Sequence, residues 1–175
     1  DVKREGVIDA DPNYKIFNLR HNFTNRNAIY DINTESSFQV SNQFSKVEFT
    51  AVLRKLLTNG RQLGIRLFAG KFLWHNQTAT NFFDFNLVRP KDYLFRYNYF
   101  GRSESEGIFS QQIVMAEGGF KSSPTTSSAN QYLLAANLTL GIWKWFEAYA
   151  DLGLIKNRNI KAKSFFGSGV RLNIV

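Results

Sequence analysis

The chain contains no cysteine, one methionine, two histidines and three prolines in 175 residues. The missing cysteine removes disulfides, thiolate metal sites and cysteine nucleophiles together. His21 and His75 are far apart in sequence, so neither has the closely spaced partner that a zinc hydrolase helix supplies. No Gly-x-Ser-x-Gly elbow and no phosphate-cradling glycine loop occurs. The expectation is a chain with no catalytic residues, no metal ligands and no cofactor of its own. No apolar run reaches the about 18 residues of a membrane-spanning helix, and mean hydropathy is −0.29. That leaves membrane β-barrels open, because their alternating strands average to moderate hydropathy.

Negative charge is also in the minority: 14 Asp and Glu stand against 22 Lys and Arg, a formal net charge of +8. Such a balance invites nucleic acid as partner, but the basic residues are scattered. The one dense cluster, Lys156, Arg158, Lys161 and Lys163, falls in an expected loop. It suits a solvated loop or contact with anionic lipid, so nucleic acid is not an expected partner. With no initiator methionine and no signal sequence, the chain reads as a mature or excised segment.

What is abundant is Phe, with 17 residues, and Tyr, with 7. From Tyr14 onward apolar residues recur at every second position, which is the period of a strand. Residues 1–12 lack periodicity and read as a linker or incoming loop, leaving 13–175 as one antiparallel unit. Strands are expected near 14–24, 28–40, 44–57, 61–74, 81–88, 93–101, 108–120, 131–140, 146–155 and 164–175, nine or ten in all, with no helix. Thr58-Asn59-Gly60 is a strong hairpin signal, because Asn and Gly tolerate positive φ. The faces assigned to its flanking strands require a loop of odd length. The Ser/Thr-rich stretch 122–130 reads as a long mobile loop. Several of these strands match the about 9–11 residues of a tilted membrane strand and exceed the usual 5–6.

Alternation leaves open which face is wet. In a soluble barrel large apolar groups fill the inside; in an outer-membrane barrel they face lipid and the interior is polar. Opposite the aliphatic positions stand Gly64, Arg66 and Gly70, then Glu147, Asp151 and Gly153, then Gly167, Gly169 and Arg171. Glycine weakens a solvated strand but suits a narrow interior. Arg66, Glu147, Asp151 and Arg171 are therefore expected to form an interior charge ladder. Trp74, Trp143, Trp145 and Phe165, near strand ends, are expected to lie at the membrane interface. The fold expected is all-β, an antiparallel up-and-down membrane β-barrel that does not close by itself. Outer-membrane lipids, with other envelope proteins, are the expected partners, and the bacterial outer membrane is the expected location. The alternative is a soluble β-barrel module that binds a lipid or a glycan. Glu104 and Glu106 read as a polar loop, and the aromatic run from Tyr93 to Tyr99 as a packed strand face.

Three segments carry a resemblance: GIRLFAGKFLWHN (64–76), YFGRSESEGIFSQQIVMAEGGFK (99–121), and WKWFEAYADLGLIKN (143–157) followed by FGSGVRLNIV (166–175). Together they resemble the C-terminal β-barrel region of Gram-negative outer-membrane metallopeptidases of the gluzincin, aminopeptidase-like type. The resemblance implies a parent enzyme whose zinc site, a His-Glu-x-x-His helix, lies in a separate domain. None of that domain's residues maps onto this chain. The segment would then act as membrane anchor, or as a translocation or pore wall, with zinc expected only in the parent.

Overall fold

The computed structural model describes residues 14–57, 60–76, 81–94, 115–122 and 124–172. Seven long strands form one antiparallel sheet in simple up-and-down order: β1 (Ile16–Arg26), β2 (Tyr30–Ser41), β3 (Phe44–Leu56), β4 (Gln62–His75), β7 (Tyr132–Trp143), β8 (Phe146–Lys156) and β9 (Lys163–Leu172). Two short strands, β5 (Phe85–Asn86) and β6 (Ser128–Ala129), pair separately after a single 3₁₀ turn, Asn81–Phe83. Among the described residues no ladder joins β1 to β9, and no closed ring is present.

The faces follow from parity. Register pairs Arg20 with Ser37, Ser37 with Glu48, Glu48 with Gly70, Gly70 with Leu133, Leu133 with Ile155 and Ile155 with Lys163. Directly paired residues share a face, so these positions define one side of the sheet, the inner face. The outer face carries Phe17, Leu19, Val47, Leu67, Leu134, Leu152 and Phe166, all exposed. A bulge in β4 opposite Ser45 and Lys46 puts Leu73 and Trp74 in adjacent positions, both exposed, and returns His75 to the inner side opposite Phe44.

The β3–β4 turn has the odd length that the faces demand. Leu57 N donates to Arg61 O at 2.8 Å, enclosing residues 58–60, and Gly60 sits at φ 72°. Residues 58 and 59 themselves lie outside the described residues.

The core lies between the inner face and the chain inserted between β4 and β7. Phe83, Phe85, Leu87, Tyr93 and Phe120 from the insertion bury against Phe44, Phe68, Phe72, Leu133 and Ile155 of the sheet. This corrects the expectation for the middle of the chain. Only two residues of 81–88 pair as a strand, and 115–120 form none. Residues 124–130 are not a free loop: Ala129 is fully buried and Ser128 Oγ donates to Asp84 Oδ2 at 3.0 Å. Tyr93 and Leu94 form a turn rather than the start of a strand, and the rest of 93–101, the Glu104/Glu106 loop and most of 108–120 fall outside the described residues, as does the 1–12 linker.

Candidate functional site: a polar interior and an apolar exterior

Charge divides cleanly between the two faces. Register places every carboxylate carried by the seven strands on the inner face: Asp31, Glu35, Glu48, Glu147 and Asp151. The charged residues of the outer strand positions are Lys55, Lys71 and Lys156, all close to strand ends. His21, on edge strand β1, is the one titratable group at mid-height.

Inside, Arg20 pairs with Glu35 at 3.1 Å and Arg26 with Asp31 at 3.2 Å on β1 and β2, and three further groups lie over the rest of the sheet. Lys46, fully buried, lies 3.0 Å from Glu48 Oε1 and donates to Phe83 O at 3.1 Å. Its ammonium is 4.7 Å from the Phe85 ring centroid and 5.0 Å from that of Tyr93, within cation–π range. Glu48 Oε2 accepts from Ser37 Oγ at 2.7 Å and Gln39 Nε2 at 3.1 Å, and Tyr93 donates to Gln39 Oε1 at 2.7 Å. Burial pushes the Tyr93 hydroxyl up to about 12, partly offset by the neighbouring Lys46 ammonium. The second group joins Arg66 to Asn137 Oδ1 at 3.0 Å and to the carbonyl of Glu117 at 2.9 Å. Asn137 Nδ2 donates to Asp151 Oδ1 at 3.0 Å, and Asp151 in turn pairs with Lys121 at 2.9 Å. The third is Arg171 on Glu147, with Nε at 2.7 Å and Nη2 at 2.6 Å from Oε2, half-exposed at the rim.

All four residues of the expected interior ladder thus share the inner face. They do not form one ladder. Asp151 lies opposite Gly167 rather than near Arg171, and its cation comes from the insertion. Lys46, Glu48, Asn137 and Lys121 were not singled out from sequence, although Lys46 and Glu48 sit at the polar positions of an alternating strand. Among the described residues no group of three or more metal-ligating side chains occurs.

Of the four strand-end aromatics singled out from sequence, three are exposed and one is not. Trp74 at one rim, and Trp143 and Trp145 at the other, are half or more exposed. Phe165 is a correction: its parity is inward, and its ring lies tilted 4.7 Å from that of Phe120, while its neighbour Phe166 faces out at 66% exposure. Tyr93 and Phe72, also strand-end aromatics in sequence, are core residues.

The inward glycines are where insertion aromatics approach most closely. A Cβ at Gly70 would lie 2.8 Å from the Phe85 ring, and one at Gly153 would overlap Phe120 Cζ. The outer surface holds a shallow apolar trough of about 530 Å³ across β4, β7, β8 and β9. At the Trp74 rim a cavity of about 540 Å³ has Phe72, Trp74, His75, Asn130 and Arg158 among its lining residues. Comparison with protein-family models, with curated proteins and with solved structures gives no match.

Proposed function

We propose that this chain is a wall segment of an outer-membrane β-barrel that anchors a larger gluzincin-type metallopeptidase in the envelope of a Gram-negative bacterium. The observation that carries the membrane reading is the division of charge between the faces. Carboxylates and most arginines turn inward, and outward charge is confined to lysines near strand ends, where long stems can lift ammonium groups to the headgroups. A basic residue on the lipid face costs about 2–4 kcal/mol at mid-depth and close to nothing at the interface.

Size and exposure support the same reading. Among the described residues 25 large apolar side chains are exposed, against 13 buried hydrophobic residues. A water-soluble monomer rarely shows apolar patches beyond a few hundred Å². From Tyr132 to Trp143 the strand covers about 36 Å at a rise near 3.3 Å per residue. At the tilt of about 40° usual in membrane barrels this is about 28 Å of height, close to their apolar band of about 25 Å. The insertion packed against the inner face supports a plugged wall rather than an open pore lining.

The metallopeptidase parent rests on the resemblance of segments 64–76, 99–121 and 143–175. Within that reading the chain has no peptidase residues and acts as anchor. Two measurements test the proposal. Refolded protein should be soluble only in detergent or lipid and show heat-dependent mobility in gels; a compact monodisperse species in plain buffer overturns the membrane reading. The parent reading looks for His-Glu-x-x-His in the same polypeptide, and its absence from the complete reading frame overturns it.

A further inference from the structure

We propose that the outer surface where β4, β7 and β8 reach the Trp74 rim binds a phosphate-bearing lipid. Its headgroup lies among Lys71, Lys156 and Arg158, and one acyl chain lies in the apolar trough beside them. The inference rests on the membrane reading above and adds a ligand class to it.

Register builds the site row by row. Lys71, Tyr132 and Lys156 pair across β4, β7 and β8 and form one outward row. Neighbouring strands are about 4.8 Å apart, so the two lysines flank Tyr132 at roughly 10 Å, a span that a phosphorylated headgroup can bridge. The next two rows are Ala69, Leu134, Leu154 and Ser164, then Leu67, Ala136, Leu152 and Phe166. Small side chains at Ala136 and Ser164 lie between Leu134, Leu152, Leu154 and Phe166, and that relief forms the trough. Each row is about 7 Å from the next, so a lipid phosphate held by the lysines places its chain directly over the groove.

The polar end is built in advance. Asn130 N donates to Asn157 Oδ1 at 2.7 Å, Arg158 N donates to Asn130 Oδ1 at 2.8 Å, and Asn157 Nδ2 donates to Ser128 O at 3.0 Å. Lys156 Nζ donates to Ile160 O at 2.5 Å, which holds its ammonium on the same loop. These bonds lock the β8–β9 loop to the start of β7 and set Arg158 in the wall of the rim cavity beside Trp74. Carboxylates would repel a phosphate, and every strand carboxylate faces the other way. The opposite rim presents Lys55 and Lys144 with Trp143 and Trp145, but the described trough does not reach it.

The test uses the full chain in bilayers with Trp143→Phe and Trp145→Phe, so that Trp74 is the sole reporter. Quenching by brominated phosphatidic acid is compared with quenching by brominated phosphatidylcholine. The expected result is a preference of at least about fivefold for the anionic lipid, the size expected of one well-placed cation. It should fall toward parity in Lys71→Gln/Lys156→Gln/Arg158→Gln and persist in Lys55→Gln/Lys144→Gln. Equal quenching by both lipids, or equal loss in both variants, overturns the site while leaving membrane insertion supported. Abolition of the preference by excess inorganic phosphate makes free phosphate the ligand and overturns the lipid. Absence of quenching by any brominated lipid removes the membrane reading, and the site with it.

Discussion

Lys121 and Asp151 meet twice: the ammonium lies 2.9 Å from Oδ1, and the Lys121 amide donates to Oδ2 at 2.8 Å. One strand carboxylate therefore holds both the side chain and the backbone of the insertion. Asp151 is fully buried and also accepts from Asn137. Breaking a buried pair from one side leaves an uncompensated charge, at a cost of about 3–5 kcal/mol. Asp151→Asn should therefore speed hydrogen exchange at the amides of 118–121 well before it affects β2 and β3. Adding Lys121→Met should restore part of the protection, because it removes the stranded cation. Uniform acceleration across the sheet would mean that the insertion does not open separately.

Arg171 offers a graded contrast. Its pair with Glu147 is direct but half-exposed at the rim, so solvent screening limits it to about 1 kcal/mol or less. Arg171→Leu should destabilise more than Lys161→Leu in the β8–β9 loop, and less than Asp151→Asn. Denaturant midpoints of the three variants in one detergent give the order, and an Arg171 effect equal to that of Asp151 would refute it.

Steric fit gives the third prediction. Gly153 faces Phe120, and a Cβ there would overlap the ring. Gly153→Ala should cost about 1–3 kcal/mol through overpacking. Phe120→Leu in the same chain should recover part of that loss, since the shorter side chain yields the space. Strictly additive losses would show that the two positions do not share the contact.

Acid should favour the docked insertion. Burial raises the Asp84 carboxyl above its usual range, offset in part by Ser128 and His75. Burial likewise raises Glu117, offset in part by Lys46. A group raised on folding binds more protons folded than unfolded, so its contribution to stability is present in full below its unfolded value. The contribution is lost as pH climbs through the raised folded value. Asp84 Oδ1 is buried and has no hydrogen-bond partner among the described residues. Asp84→Asn should therefore gain stability at neutral pH and flatten the acid-side pH profile. Burial lowers the facing His75 imidazole, which works with the opposite sign, so the check uses His75→Phe: protection of 84–86 that still rises between pH 4 and pH 7 in that background would contradict the sign.

These residues also show what the sequence made legible. Period-two alternation located the seven long strands and, on most of them, the division between a largely apolar face and a polar one. Parity with Gly60 defined the β3–β4 turn. The insertion was misleading because Phe83, Phe85 and Leu87 keep the period of a strand while only Phe85 and Asn86 pair as one, and Phe120 is packed by tertiary contact alone. Phe165 and Phe166 form an adjacent pair, and alternation assigns only one of them outward. Lys46 resembled any polar strand position; its burial depends on aromatics as distant in sequence as Tyr93. Some inward glycines were the available signal: Gly70 and Gly153 stand where Phe85 and Phe120 fit, and Gly167 stands beside Ser122 of the insertion.

The last prediction concerns closure. Successive antiparallel neighbours reverse direction, so in a seven-stranded meander β1 and β9 run the same way. Pairing them directly would create a single parallel ladder in an otherwise antiparallel ring, which membrane barrels avoid by keeping an even strand number. An all-antiparallel ring around this segment takes an odd number of additional strands between β9 and β1. A second copy in the same orientation does not supply them, since it also presents a parallel edge. The cysteine-free sequence makes the test clean. Asn18→Cys with Gln39→Cys, opposite each other on β1 and β2, should cross-link on oxidation in the membrane. Asn18→Cys with Gly169→Cys, on the two edges, should not cross-link within one chain. An efficient intramolecular disulfide between β1 and β9 would show that the seven strands close on themselves and would overturn the odd-number requirement.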